Sequence, residues 1–174
     1  AEALFQRALK TKPGDPELRT SVAMAQMSQG RSEVALNELR TLASTEASTV
    51  GDLALISAML RQRNVPGALA AIDGFQAKQP KSPQPETLRG QVLLAKADLA
   101  SARINYEAAL KKDPQYMPAI QGLAAIDMRE SKPEVAEQRF ATALASDPKN
   151  TAAMMALVDL KSRRASAADE VTKL

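Results

Sequence analysis

Residues 102–114 read ARINYEAALKKDP. Within them Ala102, Tyr106, Ala109 and Leu110 fall at the three- and four-residue spacings of one helix face, and Pro114 prevents the helix from continuing. The same phase returns along the whole chain. Ala1, Ala35, Ala68, Ala102 and Ala136 stand 34, 33, 34 and 34 apart, and four residues after each comes Phe5, Leu39, Ile72, Tyr106 or Phe140. Twelve residues after each alanine stands Pro13, Ala47, Pro80, Pro114 or Pro148, so a helix stops at nearly one phase in every unit. A period of this length is the mark of stacked helical hairpins.

A second column, Ala23, Ser57, Gly90, Ala124 and Val158, shares the single short interval and holds small side chains at four of its five positions, as a close helix crossing needs. Comparing the columns predicts the missing residue in the turn between Arg63 and Gly67. The punctuation predicts helix pairs at 16–29 with 32–46, 50–62 with 66–78, 84–96 with 99–112, and 117–130 with 133–146, preceded by a lone helix at 1–12. Thr49 with Asp52 and Ser131 with Glu134 read as capping boxes, and Asp15-Pro16 as a cap followed by proline at the first helical position. The organisation expected is one array: a partial repeat at 1–15, complete repeats at 16–48, 49–82, 83–116 and 117–150, and a partial one at 151–174. In the last, 151–163 is expected as a first helix and 166–174 as a shortened second one. A chain that starts and stops within the pattern, with Phe5 and Leu9 at its edge, suggests a piece of a longer array; a complete small protein with frayed ends is the alternative.

Composition supports an all-α fold. Of 174 residues 33 are alanine, only 3% are aromatic, and β-branched types are scarce, which excludes an all-β architecture. The absence of His and Cys removes the commonest general base, the thiol nucleophile, disulfides and zinc sites together. No glycine-rich phosphate loop or nucleophile elbow is present, so neither an enzyme nor a cofactor is expected. Asp73, Asp98, Asp113, Asp127 and Asp147 read as turn or exposed-helix residues, and turn capping accounts for Asp98, Asp113 and Asp147. The net charge of +3 is spread evenly over both halves and the aromatics are few, which argues against nucleic acid. No apolar run approaches the ~20 residues of a membrane span, so the fragment itself is not expected to contact a membrane.

The phase of small residue, alanine, aromatic, Ala-Leu and proline resembles the tetratricopeptide repeat, and 102–114 is its clearest copy. That resemblance implies a right-handed superhelical solenoid of antiparallel helix pairs. Ala47 at the terminal proline, Phe75 in a small-residue slot, and Arg19, Leu53 and Ile120 where an early aromatic is usual depart from the pattern. More narrowly, the stretches Asp52-Leu-Ala-Leu-Ile-Ser-Ala58, Ala70-Ala-Ile-Asp73, Gln79-Pro80-Lys-Ser-Pro83, Leu88-Arg-Gly90 and Lys132-Pro-Glu134 resemble the repeat lipoprotein of the PEP-CTERM/exosortase system. That resemblance implies an exported lipoprotein of Gram-negative bacteria facing the periplasm, linked to exopolysaccharide and protein sorting.

Stacked helix pairs turn their first helices to the concave face, where binding is expected. Projecting each first helix by the inner-facing phase of the resembled repeat selects Met24, Met27, Ala58, Arg61, Gln62, Gln91, Leu94, Gln121, Ala125, Met128, Arg129, Met155 and Arg163. Methionines adapt to irregular apolar partners, and arginines on successive units grip carboxylates or backbone carbonyls, so an extended peptide or protein is the expected ligand. Two plainer accounts compete: methionine packing, and arginine stabilised at a helix C-terminus by the dipole. A scaffold for assembling proteins at the envelope is the leading reading. The alternatives are the substrate-presenting arm of a larger enzyme and a co-chaperone adaptor, the latter disfavoured because Thr20, Met24 and Ala54 replace the Lys and Asn set of related carboxylate-clamping repeats. Cut apolar ends would make any homodimer suspect as an end-to-end artefact.

Overall fold

The computed structural model describes residues 2–45 and 49–171, with side chains from Leu4 to Thr45 and from Thr49 to Arg164. Ala1 and Ala47, members of the repeat columns, lie outside the described residues. The chain is all-α: α1 (Glu2–Thr11), α2 (Pro16–Ser28), α3 (Ser32–Thr45), α4 (Val50–Arg61), α5 (Val65–Lys78), α6 (Gln84–Ala95), α7 (Leu99–Lys112), α8 (Met117–Arg129), α9 (Pro133–Ser146) and α10 (Thr151–Val171), with no strand among the described residues. It divides into two compact units, Ala1–Pro80 and Lys81–Leu174. In the first, α2 packs on α3, α3 on α4 and α4 on α5, and the first helices α2 and α4 also touch. In the second the same pattern runs from α6 to α10, with α6 touching α8.

Each hairpin is closed by the same device. At Gly30, Arg63, Ala97 and Ser131 the chain turns left-handed, with φ of 82°, 57°, 60° and 59°. The following N–H then bonds back to the helix, from Arg31 to Gln26, Asn64 to Met59, Asp98 to Leu93 and Lys132 to Asp127, at 3.0, 2.9, 3.0 and 2.8 Å. This is the Schellman closure, which satisfies carbonyls left without partners at a helix end. A buried alanine, Ala35, Ala68, Ala102 or Ala136, follows each left-handed residue by five positions.

These turns correct the expected register. Their intervals are 33, 34 and 34, and the turn from Arg63 to Gly67 is as long as the others. The short interval lies upstream of Ile56: the buried Leu42 and Asp52 stand ten residues apart, where the corresponding Phe75 and Glu86 stand eleven apart. Ile56, not Ser57, therefore corresponds to Ala23, Gly90 and Ala124; Ile56 is buried and Ser57 exposed. Three further expectations change. Thr49 makes no side-chain capping bond at α4. Ser131 is the left-handed turn residue, so Lys132 occupies the α9 cap position and no capping box forms. The expected break near 164–165 is absent: α10 is continuous, and its sequence contains neither Gly nor Pro to stop it. The Asp15 cap is present, its Oδ1 accepting from the N–H groups of Glu17 and Leu18 ahead of Pro16 at the first helical position. Asp98, Asp113 and Asp147 cap turns as expected, accepting from Ser101, Gln115 and Lys149.

The first unit's core gathers Leu36, Leu39, Leu42, Leu55 and Met59 around Ala23, Ala35, Ala58 and Ala68. In the second, one cluster centres on Tyr106 with Leu123 and Ile126, and another on Phe140 with Ile120 and Ala124. Tyr106 explains the glycines beside it. A Cβ on Gly122 would stand 2.3 Å from the ring's Cζ, and one on Gly90 2.8 Å from its Cε1. The ring thus occupies the space that two missing side chains leave on α6 and α8.

Candidate functional site

The residues selected for the inner face fall into rows when counted back from each left-handed turn. Met24, Ser57, Gln91 and Ala125 form one row, and Met27, Leu60, Leu94 and Met128 the next. The projection thus missed Leu60, which is 40% exposed, and wrongly included Ala58, which is fully buried in the first unit's core. Both follow from the one-residue register error in α4: Ala58 corresponds to the buried Val92 and Ile126.

In the first unit Met24 and Met27 are half-buried against the core, while Arg61 and Gln62 are exposed at the end of α4. Arg61 has no hydrogen-bond or ion-pair partner among the described residues. In the second unit Gln91, Gln121, Ala125, Met128 and Arg129 are exposed and Leu94 is half-buried against the core. Here two selected residues are brought together, Arg129 donating from Nη1 to the Leu94 carbonyl at 2.8 Å. This bond ties the ends of two neighbouring first helices and places a cation at a helix C-terminus, where the dipole favours it. Burial pushes the Tyr106 phenol above its usual range, and the Arg129 charge opposes the shift from nearby. On α10, Met155 is 73% exposed, and Arg163 pairs with Asp159 at 3.0 Å. Among the exposed residues of the first helices are two like dipeptides, Leu60-Arg61 in one unit and Met128-Arg129 in the other.

Asp127 is not an exposed helix residue. It is 1% exposed and held between two helices, its Oδ1 accepting from Arg103 Nη2 of α7 at 3.0 Å and its Oδ2 from Arg139 Nε of α9 at 2.5 Å. Arg103 also pairs with Glu130 at 3.1 Å, and Glu130 with Lys132 at 2.7 Å. The sequence carried a signal for this network. Asp127 falls where the other repeats have Gln26, Met59 and Leu93, and Arg103 where they have Leu36, Leu69 and Glu137. Here an acid and a base stand together at positions that are uncharged in the two repeats before. Two more buried acids, Asp52 and Glu86, sit 34 residues apart and meet Lys78 and Lys112, also 34 apart. Each lysine also donates to a backbone carbonyl, of Ala43 at 2.6 Å and of Ser82 at 3.0 Å. These pairs tie successive helices. No group of three or more acidic side chains that could hold a metal ion is present among the described residues. Nor is any of the described helices long and apolar enough to cross a membrane.

The model of the tetratricopeptide repeat-like domain matches residues 16–128, well over half of the chain. The chain belongs to that family. No curated protein matches it. Among solved structures it is similar to a thermophilic tetratricopeptide repeat protein of Thermus thermophilus, with 26% identity over 95% of this chain and 88% of that one and a TM-score of 0.66. A tetratricopeptide repeat protein of Parabacteroides merdae is similar over 99% of this chain and 70% of its own, at 17% identity and a TM-score of 0.64. Yeast Tom70 shares the fold over 98% of this chain and 37% of its own, at 15% identity and a TM-score of 0.76. Tetratricopeptide repeat folds are in general non-catalytic scaffolds that bind other proteins, and this chain is a helical repeat protein of that type.

Proposed function

We propose that this chain is a non-catalytic scaffold that holds an extended segment of a partner protein against its first helices, as part of an exported lipoprotein supporting exopolysaccharide-linked protein sorting or envelope assembly. The observation that carries the reading is the recurrence of an exposed apolar residue followed by an exposed arginine, Leu60-Arg61 and Met128-Arg129, 68 residues apart. Each dipeptide offers an apolar contact beside a fork of N–H donors suited to carboxylates and carbonyls. The envelope setting rests on the resemblance of the five short stretches to the exosortase-associated lipoprotein. An anchoring cysteine would be carried outside these 174 residues, since none is present within them.

Affinity capture from detergent-solubilised native envelope tests both parts, comparing the parent with an Arg61→Glu, Met128→Glu, Arg129→Glu variant of unchanged helicity. A sorting or polysaccharide-export protein retained by the parent and lost by the variant is the expected result. Equal capture by both refutes the first-helix face, and capture only from the cytosolic fraction refutes the envelope setting.

A further inference from the structure

An apolar groove of the second unit lies between its second helices α7 and α9 and the start of α8, at the opposite end of α8 from Met128-Arg129. It measures about 320 Å³ and is lined by Leu110, Ile120, Val135, Gln138, Arg139 and Thr142, from α7, α8 and α9. This places it at the small end of the range for ligand pockets.

The groove is a recurring product of the fold. The first unit has one of about 520 Å³ between α1, α2 and α3, and six of its lining residues, Leu9, Arg19, Val34, Asn37, Glu38 and Thr41, each stand 101 positions before their counterparts. That offset is three turn intervals, of 33, 34 and 34 residues. Leucine, valine and threonine recur unchanged at three of the six positions. The charges differ. In the first unit Arg19 and Glu38 pair at 2.6 Å, so that groove neutralises itself. In the second the corresponding residues are Ile120 and Arg139, and no acid lines the groove.

Arg139 has Asp127 as its sole partner among the described residues, and Asp127 is shared with Arg103. Within the network Arg103, Arg139 and Lys132 face Asp127 and Glu130, three positive charges against two negative. A guanidinium carries five N–H donors, and Nε alone accounts for the Asp127 bond. The groove therefore combines an apolar floor with a basic edge. It complements an apolar group and a carboxylate held close together.

We propose that the groove bounded by α7, α8 and α9 docks the C-terminal residue of a partner polypeptide, with its apolar side chain on Ile120 and Val135 and its α-carboxylate on Arg139. The groove has room for a large apolar side chain, and a chain terminus carries that side chain and a carboxylate on one Cα. This site stands independently of the peptide-binding face on the first helices.

Methyl NMR of the whole chain tests it with small probes. N-acetyl-leucine should produce saturable shifts at Ile120, Val135 and Leu110, and N-acetyl-leucinamide should bind about tenfold more weakly, because it lacks the charge-assisted bond. Methyls of Leu9 and Val34, beside the self-paired Arg19 and Glu38, should respond no more to the acid than to the amide. Val135→Glu, at an exposed position that leaves the core intact, should abolish the shifts at Ile120 and Leu110. Absence of saturable shifts, equal binding of acid and amide, or undiminished binding by Val135→Glu overturns the proposal. Binding of octanoate without N-acetyl-leucine also overturns it, since the site would then take a free aliphatic acid.

Discussion

Gly122→Ala adds one methyl group in the middle of α8, yet the second unit should lose about 2 kcal/mol. On an exposed helix the same change is favourable by roughly 0.8–1 kcal/mol, because glycine gives up more backbone freedom and exposes its peptide group. At Gly122 the new Cβ would lie 2.3 Å from Tyr106 Cζ and 2.4 Å from Cε1. Ordinary carbon contacts begin near ~3.5 Å, so ring and helix must separate by about 1 Å. Tyr106 is 1% exposed and its ring edge also abuts Gly90, so it has no open side to retreat to. Overpacking of a tight core costs about 1–3 kcal/mol, and a rigid ring wedged between two helices belongs at or above the top of that range, which leaves a net loss after the propensity gain is deducted. Gly74→Ala supplies the control: Gly74 is exposed within α5, nothing lies within 4 Å of its would-be Cβ, and the change should stabilise by up to about 1 kcal/mol. Urea unfolding followed by circular dichroism reads both, with hydrogen exchange locating the Gly122→Ala loss in α6, α7 and α8. Equal effects of the two substitutions would refute the claim that the glycines exist to admit the tyrosine ring.

Asp127→Asn should cost about 2–4 kcal/mol in chemical denaturation, because it removes the shared counter-charge of Arg103 and Arg139; a loss below about 0.5 kcal/mol would mean that solvent already screens the cluster. Ala97→Gly should stabilise by about 0.5–1 kcal/mol, since Ala97 holds a left-handed conformation that glycine adopts without strain, and thermal melting would show it. The acid limb of stability has a defined sign. Glu130, bonded to Lys132 and Arg103, and Asp98, bonded to Ser101, both have pKa values below their ordinary ones, so the unfolded chain binds protons first. Their contribution is complete above the ordinary carboxylate range and falls away as pH drops through the lowered values, and Glu130→Gln should flatten that limb in melts between about pH 5 and pH 2. With no histidine in the chain, stability should be level from about pH 6 to pH 8; a transition inside that window would contradict the assignment.

The sequence by itself determined the repeat and most of the helices, because a helix that buries one face must repeat its apolar residues every three to four positions. A stack of such hairpins must then repeat the whole pattern. Ala35, Ala68, Ala102 and Ala136 are all fully buried, as their spacing required. Tertiary structure decided register and partnership. Spacing alone reveals that one residue is missing between two columns but not on which side of α4, and so it exchanged Ile56 for Ser57, chose Ala58 and overlooked Leu60. The left-handed turns at Gly30, Arg63, Ala97 and Ser131 resolved this because backbone hydrogen bonds, not side-chain types, define where a helix closes. Arg63, Ala97 and Ser131 lack the glycine that would have marked such a turn. Asp127 looked exposed for a similar reason: its burial depends on arginines 24 residues before it and 12 after it, which only folding brings to one carboxylate. The groove beside Arg139 is lined from α7, α8 and α9 together, and interhelical space has no spelling in a linear sequence.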